Sequence, residues 1–148
     1  MIDLPDLAAT ESLAQKLIPL LRRGDVLALQ GDLGAGKTTF ARALVRAFGI
    51  QGDVPSPTFT LVQLYETATF PLYHFDLYRL KDPSELDELG WDDALADGVT
   101  LIEWPEHAGS RLTEDRLTLS FAAHGKDGRQ CTLTGPEHWI QRLKGISR

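Results

Sequence analysis

Residues 31–38 read Gly-Asp-Leu-Gly-Ala-Gly-Lys-Thr and fit G-x-x-x-x-G-K-[ST]. This pattern confines the fold more tightly than any other stretch of the chain, because its chemistry exists only where a strand meets a helix. Backbone N–H groups gathered at a helix N-terminus cradle phosphate oxygens, Lys37 adds a point charge, and the Thr38 hydroxyl can coordinate Mg²⁺. Both flanks agree. Val26-Leu27-Ala28-Leu29 is an apolar run of buried-strand length directly before the loop. After it, Phe40, Leu44 and Phe48 recur on one helix face until Gly49 supplies a C-cap. The setting favours a phosphate-binding loop over a mere glycine turn.

Length and composition fit a single α/β domain over residues 1–148, and a chain of that length buries about 70% of its unfolded surface. No apolar stretch reaches the roughly 18 residues of a membrane span, and Asp3 and Asp6 stand where a signal peptide would be basic. A cytoplasmic location is therefore expected. Cys131 is the lone cysteine, which excludes an internal disulfide and a cysteine-based zinc cluster. A formal charge of −6 argues against gripping nucleic acid through the net field.

The rest of the chain alternates strand and helix signals. A short first strand is expected at residues 2–4, then a helix opening near Thr10 as N-cap and either kinking or ending early near Ile18, because Pro19 removes a helical N–H. Residues 59–66 and 70–78 read as a hairpin, Asp82-Pro83-Ser84-Glu85 as a helix start and Gly90 as its stop. Residues 99–104, 117–121 and 130–134 read as strands, and Trp139, Ile140 and Leu143 belong to a terminal helix. A parallel core beside hairpins predicts a P-loop NTPase-like α/β domain with a mixed parallel/antiparallel sheet and flanking helices.

Phosphoryl transfer needs metal and water placed together, so strand-end carboxylates are the next candidates. Tyr73-His74-Phe75-Asp76 and Thr100-Leu101-Ile102-Glu103 both end an apolar run in an acid. Either can hold the Mg²⁺ hydration shell or orient the attacking water; Glu103 follows the cleaner strand. Ser56 and Thr58 occupy the region where nucleotide switches place a γ-phosphate-sensing hydroxyl, or they serve turn chemistry around Pro57. His74 and Tyr78 share the Asp76 face by alternation, so His74 is either catalytic or a hydrogen-bonded neighbour. Trp104 should point away from Glu103, as core or as a wall near the nucleotide. Residues 82–97 carry seven acidic side chains and no Lys or Arg, a solvated helix face or a dock for a basic partner. Arg42, Arg46 and Arg79 reach phosphate or remain surface charge, and His107, His124 and His138 read as surface residues.

Four segments in order, GDLGAGKTTF at 31–40, SPTFTLVQLYE at 56–66, HFDLYRL at 74–80 and IEWPE at 102–106, resemble the bacterial TsaE (YjeE) family. That family comprises small ATPases of tRNA threonylcarbamoyladenosine biosynthesis. The resemblance spans roughly residues 4–121 and becomes loose from Ala122 onward. It implies that Asp32, Leu33, Gly34, Ala35, Gly36, Lys37, Thr38 and Thr39 bind ATP phosphates and that Thr38 and Glu103 hold Mg²⁺. It further implies that Asp76 is required for hydrolysis with Lys37 and Glu103, and that Trp104 adjoins the nucleotide. Thr10 and Glu11 would close the adenine pocket, with a contribution from the strand near Thr132. The implied partner is a two-subunit tRNA threonylcarbamoyl transferase of the TsaB–TsaD type, whose repeated turnover ATP hydrolysis supports; tRNA would be held only indirectly.

Two other classes share the loop. A small-molecule P-loop kinase would need an arginine-rich lid, which the sequence does not display. A nucleotide-dependent docking module would bind without turnover. An Asn/Thr-Lys-x-Asp run for reading guanine is absent, which favours ATP.

Overall fold

Residues 2–32, 34–51, 54, 61–126, 128–144 and 146 are described by the computed structural model. Leu33, Ser56 and Thr58 lie outside the described residues, as does the beginning of the expected strand at 59–66. In chain order the elements are β1 (Ile2–Leu4), α1 (Leu7–Leu17), β2 (Val26–Gln30), α2 (Lys37–Ala47), β3 (Val62–Tyr65) and β4 (Leu72–Asp76). Then follow α3 (Glu85–Glu88), α4 (Trp91–Asp97), β5 (Val99–Glu103), β6 (Leu117–His124), β7 (Gly128–Thr134) and α5 (Glu137–Arg142).

Among the described residues the seven strands form one sheet in the order β1-β7-β6-β2-β5-β4-β3. The centre is parallel, with β2 between β5 and β6 and β4 alongside β5. Both wings are antiparallel, β3 on β4 at one side and β1–β7–β6 at the other. This is the mixed sheet the sequence predicts. No helix among the described residues is long and apolar enough to cross a membrane.

Alternation sorts the buried side chains onto two faces. Leu27 and Leu29 of β2, Leu101 of β5 and Leu72 of β4 pack with Leu13, Leu17, Phe40 and Leu44 from α1 and α2. Val26, Phe75 and Ile102 pack on the opposite face with Leu86, Trp91 and Ala94 from α3 and α4. The Phe75 and Trp91 rings meet edge to face at 5.0 Å. By the same period His74 and Asp76 follow Leu72, and Glu103 follows Leu101, so all three acid–base groups emerge on the α2 face. The acidic side chains of 82–97 turn away from this packing, and all but the half-buried Glu85 are exposed.

Helix boundaries differ from expectation at two places. The N-cap of α1 is Asp6, whose carboxylate accepts the Ala9 N–H at 2.9 Å. Thr10 is instead a buried residue inside the helix. Aspartate caps at least as well as threonine, and capping at position 6 places Leu13, Ala14 and Leu17 on the core face. The second difference is α4, a helix the sequence reading missed. Gly90 does end α3, but at φ +75 it also turns the chain into a second helix that buries Trp91. Elsewhere the local signals hold. The α-helix before Pro19 stops at Leu17 and tightens into a 3₁₀ turn. At the start of α3, Asp82 accepts the Ser84 N–H and Glu85 accepts the Asp82 N–H, each at 2.9 Å.

The terminal helix is fixed to the root of β2. Arg142 makes two bonds to the Asp25 carboxylate, 2.7 and 3.1 Å long, while its guanidinium lies 4.2 Å from the ring of buried Trp139. Bidentate geometry and low exposure make this a stronger tie than a surface ion pair.

Candidate phosphate-binding site

Glycine is required where the loop leaves β2. Gly31 has φ +145, and a Cβ there would stand 2.6 Å from the Phe121 carbonyl oxygen. Gly36, at φ +115, caps α2 and turns the chain so that Lys37 begins the helix. The Lys37 side chain is buried, its Nζ donating to the Gly31 carbonyl at 2.6 Å. The Trp104 ring covers the same ammonium at 3.3 Å from its centroid. Burial pushes the Lys37 pKa down most strongly, and the carboxylates of Glu103, Glu106, Asp76 and Asp32 restore it only in part.

Adjacent parallel strands bring the two candidate acids side by side, Asp76 of β4 opposite Glu103 of β5. Both are almost completely buried. The Thr38 hydroxyl donates to Glu103 Oε1 at 2.7 Å, and His74 Nε2 lies 2.6 Å from Glu103 Oε2. Burial is the largest influence on the Glu103 carboxyl and pushes its pKa up. The hydrogen bond and charge of His74, the Thr38 hydroxyl and the Lys37 ammonium together outweigh it, so this acid titrates below its usual range. Asp76 Oδ1 accepts the Tyr78 N–H at 3.0 Å. The hydroxyl and carboxylate oxygens of Thr38 and Glu103 form the hard donor set that suits Mg²⁺. Among the described residues no group of three His, Cys, Asp or Glu side chains could cage a metal alone. A magnesium ion here would complete its shell with phosphate and water oxygens.

Trp104 departs from expectation. Strand β5 stops at Glu103, and Trp104 takes left-handed backbone, φ 58 and ψ 52. That conformation, costly for a bulky residue, brings its ring to the same side as Glu103, against Lys37 and 5.0 Å from the Tyr78 ring. It is a wall of the cleft. His107, expected at the surface, is half-buried, donating from Nδ1 to the Leu77 carbonyl at 2.7 Å.

Two clefts meet at α2. One of about 260 Å³ is lined by Gly34, Gly36, Lys37, Thr38, Thr39, Asp76, Tyr78, Arg79, Glu103 and Trp104. The other, about 130 Å³, is lined by Leu4, Asp6, Leu7, Thr10, Gly36, Thr39, Phe121 and Arg129. Gly36 and Thr39 belong to both. Most sequence candidates therefore converge on the first cleft, with Asp32 exposed and Ala35 buried in the loop beside it. Thr10 enters the second cleft. Glu11 is exposed outside that lining, and Thr132 is likewise exposed. Arg42 and Arg46 point to solvent from α2. Sequence reasoning missed Arg129, whose side chain lies 3.6 Å from where a Gly36 Cβ would stand. No local pattern announces it, since a β-hairpin alone carries it across the sheet to the loop.

The profile of the family described as threonylcarbamoyl adenosine biosynthesis protein TsaE matches residues 4–131. A relative from Rickettsia felis, named tRNA threonylcarbamoyladenosine biosynthesis protein TsaE, is 42% identical over 125 residues, covering 84% of this chain and 73% of its own. Its namesake from Bacillus subtilis is 41% identical over 126 residues, covering 84% and 78%. Another from Streptomyces coelicolor is 40% identical over 135 residues, covering 86% and 91%. The crystal structure of Bacillus subtilis YdiB superposes with a TM-score of 0.81 at 31% identity, covering 96% of this chain and 89% of that one.

Proposed function

The chain belongs to the TsaE family of tRNA threonylcarbamoyladenosine biosynthesis, and we propose that within it the protein binds and hydrolyses Mg-ATP to support a two-subunit threonylcarbamoyl transferase of the TsaB–TsaD type. One observation carries the proposal: the Thr38 hydroxyl, the Glu103 carboxylate and the Lys37 ammonium meet at the mouth of a single glycine loop. That combination has hard oxygen donors for Mg²⁺ beside backbone donors for phosphate.

In this reading the loop amides and Lys37 take up the β- and γ-phosphates, Lys37 exchanging the Gly31 carbonyl for phosphate oxygen. Thr38 and Glu103 would hold Mg²⁺, which would supply positive charge against the phosphates when bound. Asp76 orients a water for in-line attack on the γ-phosphorus. The new P–O bond forms as the bond to the β,γ-bridging oxygen breaks, ADP leaves, and the water proton passes to the carboxylate or the departing phosphate. Trp104 covers Lys37 and keeps bulk water from it. The adenine side falls to the Thr10 cleft, with Glu11 outside its lining. Turnover is expected to be slow alone and faster with the partner, because a glycine loop by itself lacks the ordered switch or arginine that completes such a site.

The test is Mg²⁺-dependent ATP turnover by the chain alone and with its organism's transferase, with Lys37→Ala and Glu103→Gln as controls. Stimulated turnover that Lys37→Ala abolishes supports the proposal. Binding of ATP without turnover in either condition replaces it with a docking module. Transfer of phosphate to a small-molecule acceptor replaces it with a kinase.

A further inference from the structure

The proposed reaction uses Glu103 but gives no task to the imidazole bonded to it. His74 is 1% exposed, two residues before Asp76 on β4 and opposite Leu101 in register. It therefore sits diagonally from Glu103, and its Nε2 reaches Oε2 at 2.6 Å. An ionised carboxylate can only accept, so Nε2 carries the hydrogen. Nδ1 has no hydrogen-bond partner among the described residues. Leucines at 72 and 101 surround this level of the sheet, where an apolar side chain would fill the space without desolvating a ring nitrogen. A role in packing alone does not account for an imidazole there.

The two oxygens of Glu103 are divided between two donors, Oε1 to Thr38 and Oε2 to His74. A carboxylate held at one oxygen turns about its terminal bond, whose torsion has broad, shallow wells. Held at both, its plane is fixed. From this geometry we infer that His74 is a positioning residue for the metal-binding carboxylate, fixing Oε2 so that Oε1 stays directed at the Thr38 hydroxyl. Groups behind a metal ligand commonly govern affinity in this way. The inference rests on the Mg-ATP reading above and deepens it.

The experiment measures how much Mg²⁺ strengthens binding of a fluorescent ATP analogue, in wild type, His74→Gln and His74→Asn. Both amides are polar and smaller than imidazole, but only the glutamine nitrogen reaches the position of Nε2. His74→Gln should keep the magnesium-dependent gain within about twofold, and His74→Asn should lose about tenfold of it. Metal-free affinity should change by less than about twofold in either. In a Glu103→Gln background, His74→Asn should cost nothing more. His74→Leu, with thermal melts on every variant, repeats the loss without a polar substitute should the asparagine variant fail to fold. Equal gains in Gln and Asn, or equal losses, overturn positioning and leave the ATP reading intact. A wild-type chain that binds the analogue with no response to Mg²⁺ overturns the magnesium reading first and this inference with it.

Discussion

The two clefts that meet at α2 are built on opposite principles. The phosphate side takes its polar atoms from a continuous loop and two neighbouring parallel strands, and it buries Lys37, His74, Asp76 and Glu103 within one network. The other side is assembled from β1, α1, β6 and β7, and mixes Leu4, Leu7 and Phe121 with Thr10 and Arg129. Phosphate and metal binding demand particular residue types at fixed spacing, whereas a cleft that takes a flat ring between apolar walls accepts many compositions. One half of the site is thus specified residue by residue, the other by shape.

The largest break in that comparison should come from Lys37→Ala, which removes the ammonium from the specified half. Affinity for an ATP analogue should fall by about 100-fold or more, read by fluorescence titration, with little change in melting temperature. Glu103→Gln should leave metal-free binding nearly intact and lower magnesium-dependent turnover about 100-fold in a steady-state phosphate-release assay. The acid also contributes to stability. Its folded pKa lies below the unfolded one, so its contribution is present above the ordinary carboxylate range and disappears as pH falls through the depressed folded value. Denaturant midpoints should consequently depend less on acid in Glu103→Gln than in wild type.

On the shape-specified side the effects should be smaller. Thr10→Ala should weaken ATP binding about fivefold and leave competition by inorganic tripolyphosphate unchanged, since one neutral hydrogen bond is worth about 1 kcal/mol. Equal loss for both ligands would merge the two halves and defeat the comparison. The smallest signal belongs to Cys131, in the antiparallel wing. Burial pushes its thiol up to about 12. A thiol-specific dye at mildly alkaline pH should leave it unlabelled until denaturant is added.

The same division explains what could be read from sequence. Residues 31–38 carried their own setting, because a strand, three glycines and a lysine constrain one another locally. Asp76 and Glu103 were legible as strand-end acids, but their adjacency depends on β4 pairing with β5, a contact no local pattern encodes. His74 was placed beside Asp76 by alternation, yet it bonds across strands to Glu103. Trp104 defeated alternation because its left-handed backbone ends the strand one residue early. Arg129 comes to Gly36 through the far wing of the sheet and had no signal at all. Helix α4 escaped because Gly90 both stops one helix and starts another, and only burial of Trp91 decides between the two.

The tie between Arg142 and Asp25 links the last helix to the strand that leads into the glycine loop. Helix α5 spans only six residues and is too short to persist unaided. Its detachment would uncover Trp139 and leave the buried Asp25 carboxylate with the Arg22 N–H but without a countercharge from Arg142, immediately before the strand whose far end leads into the glycine loop. A protease cut or a fusion joined within residues 135–142 would therefore be felt at nucleotide binding, on the opposite end of β2. The tail of the chain acts as a remote anchor for its most demanding turn.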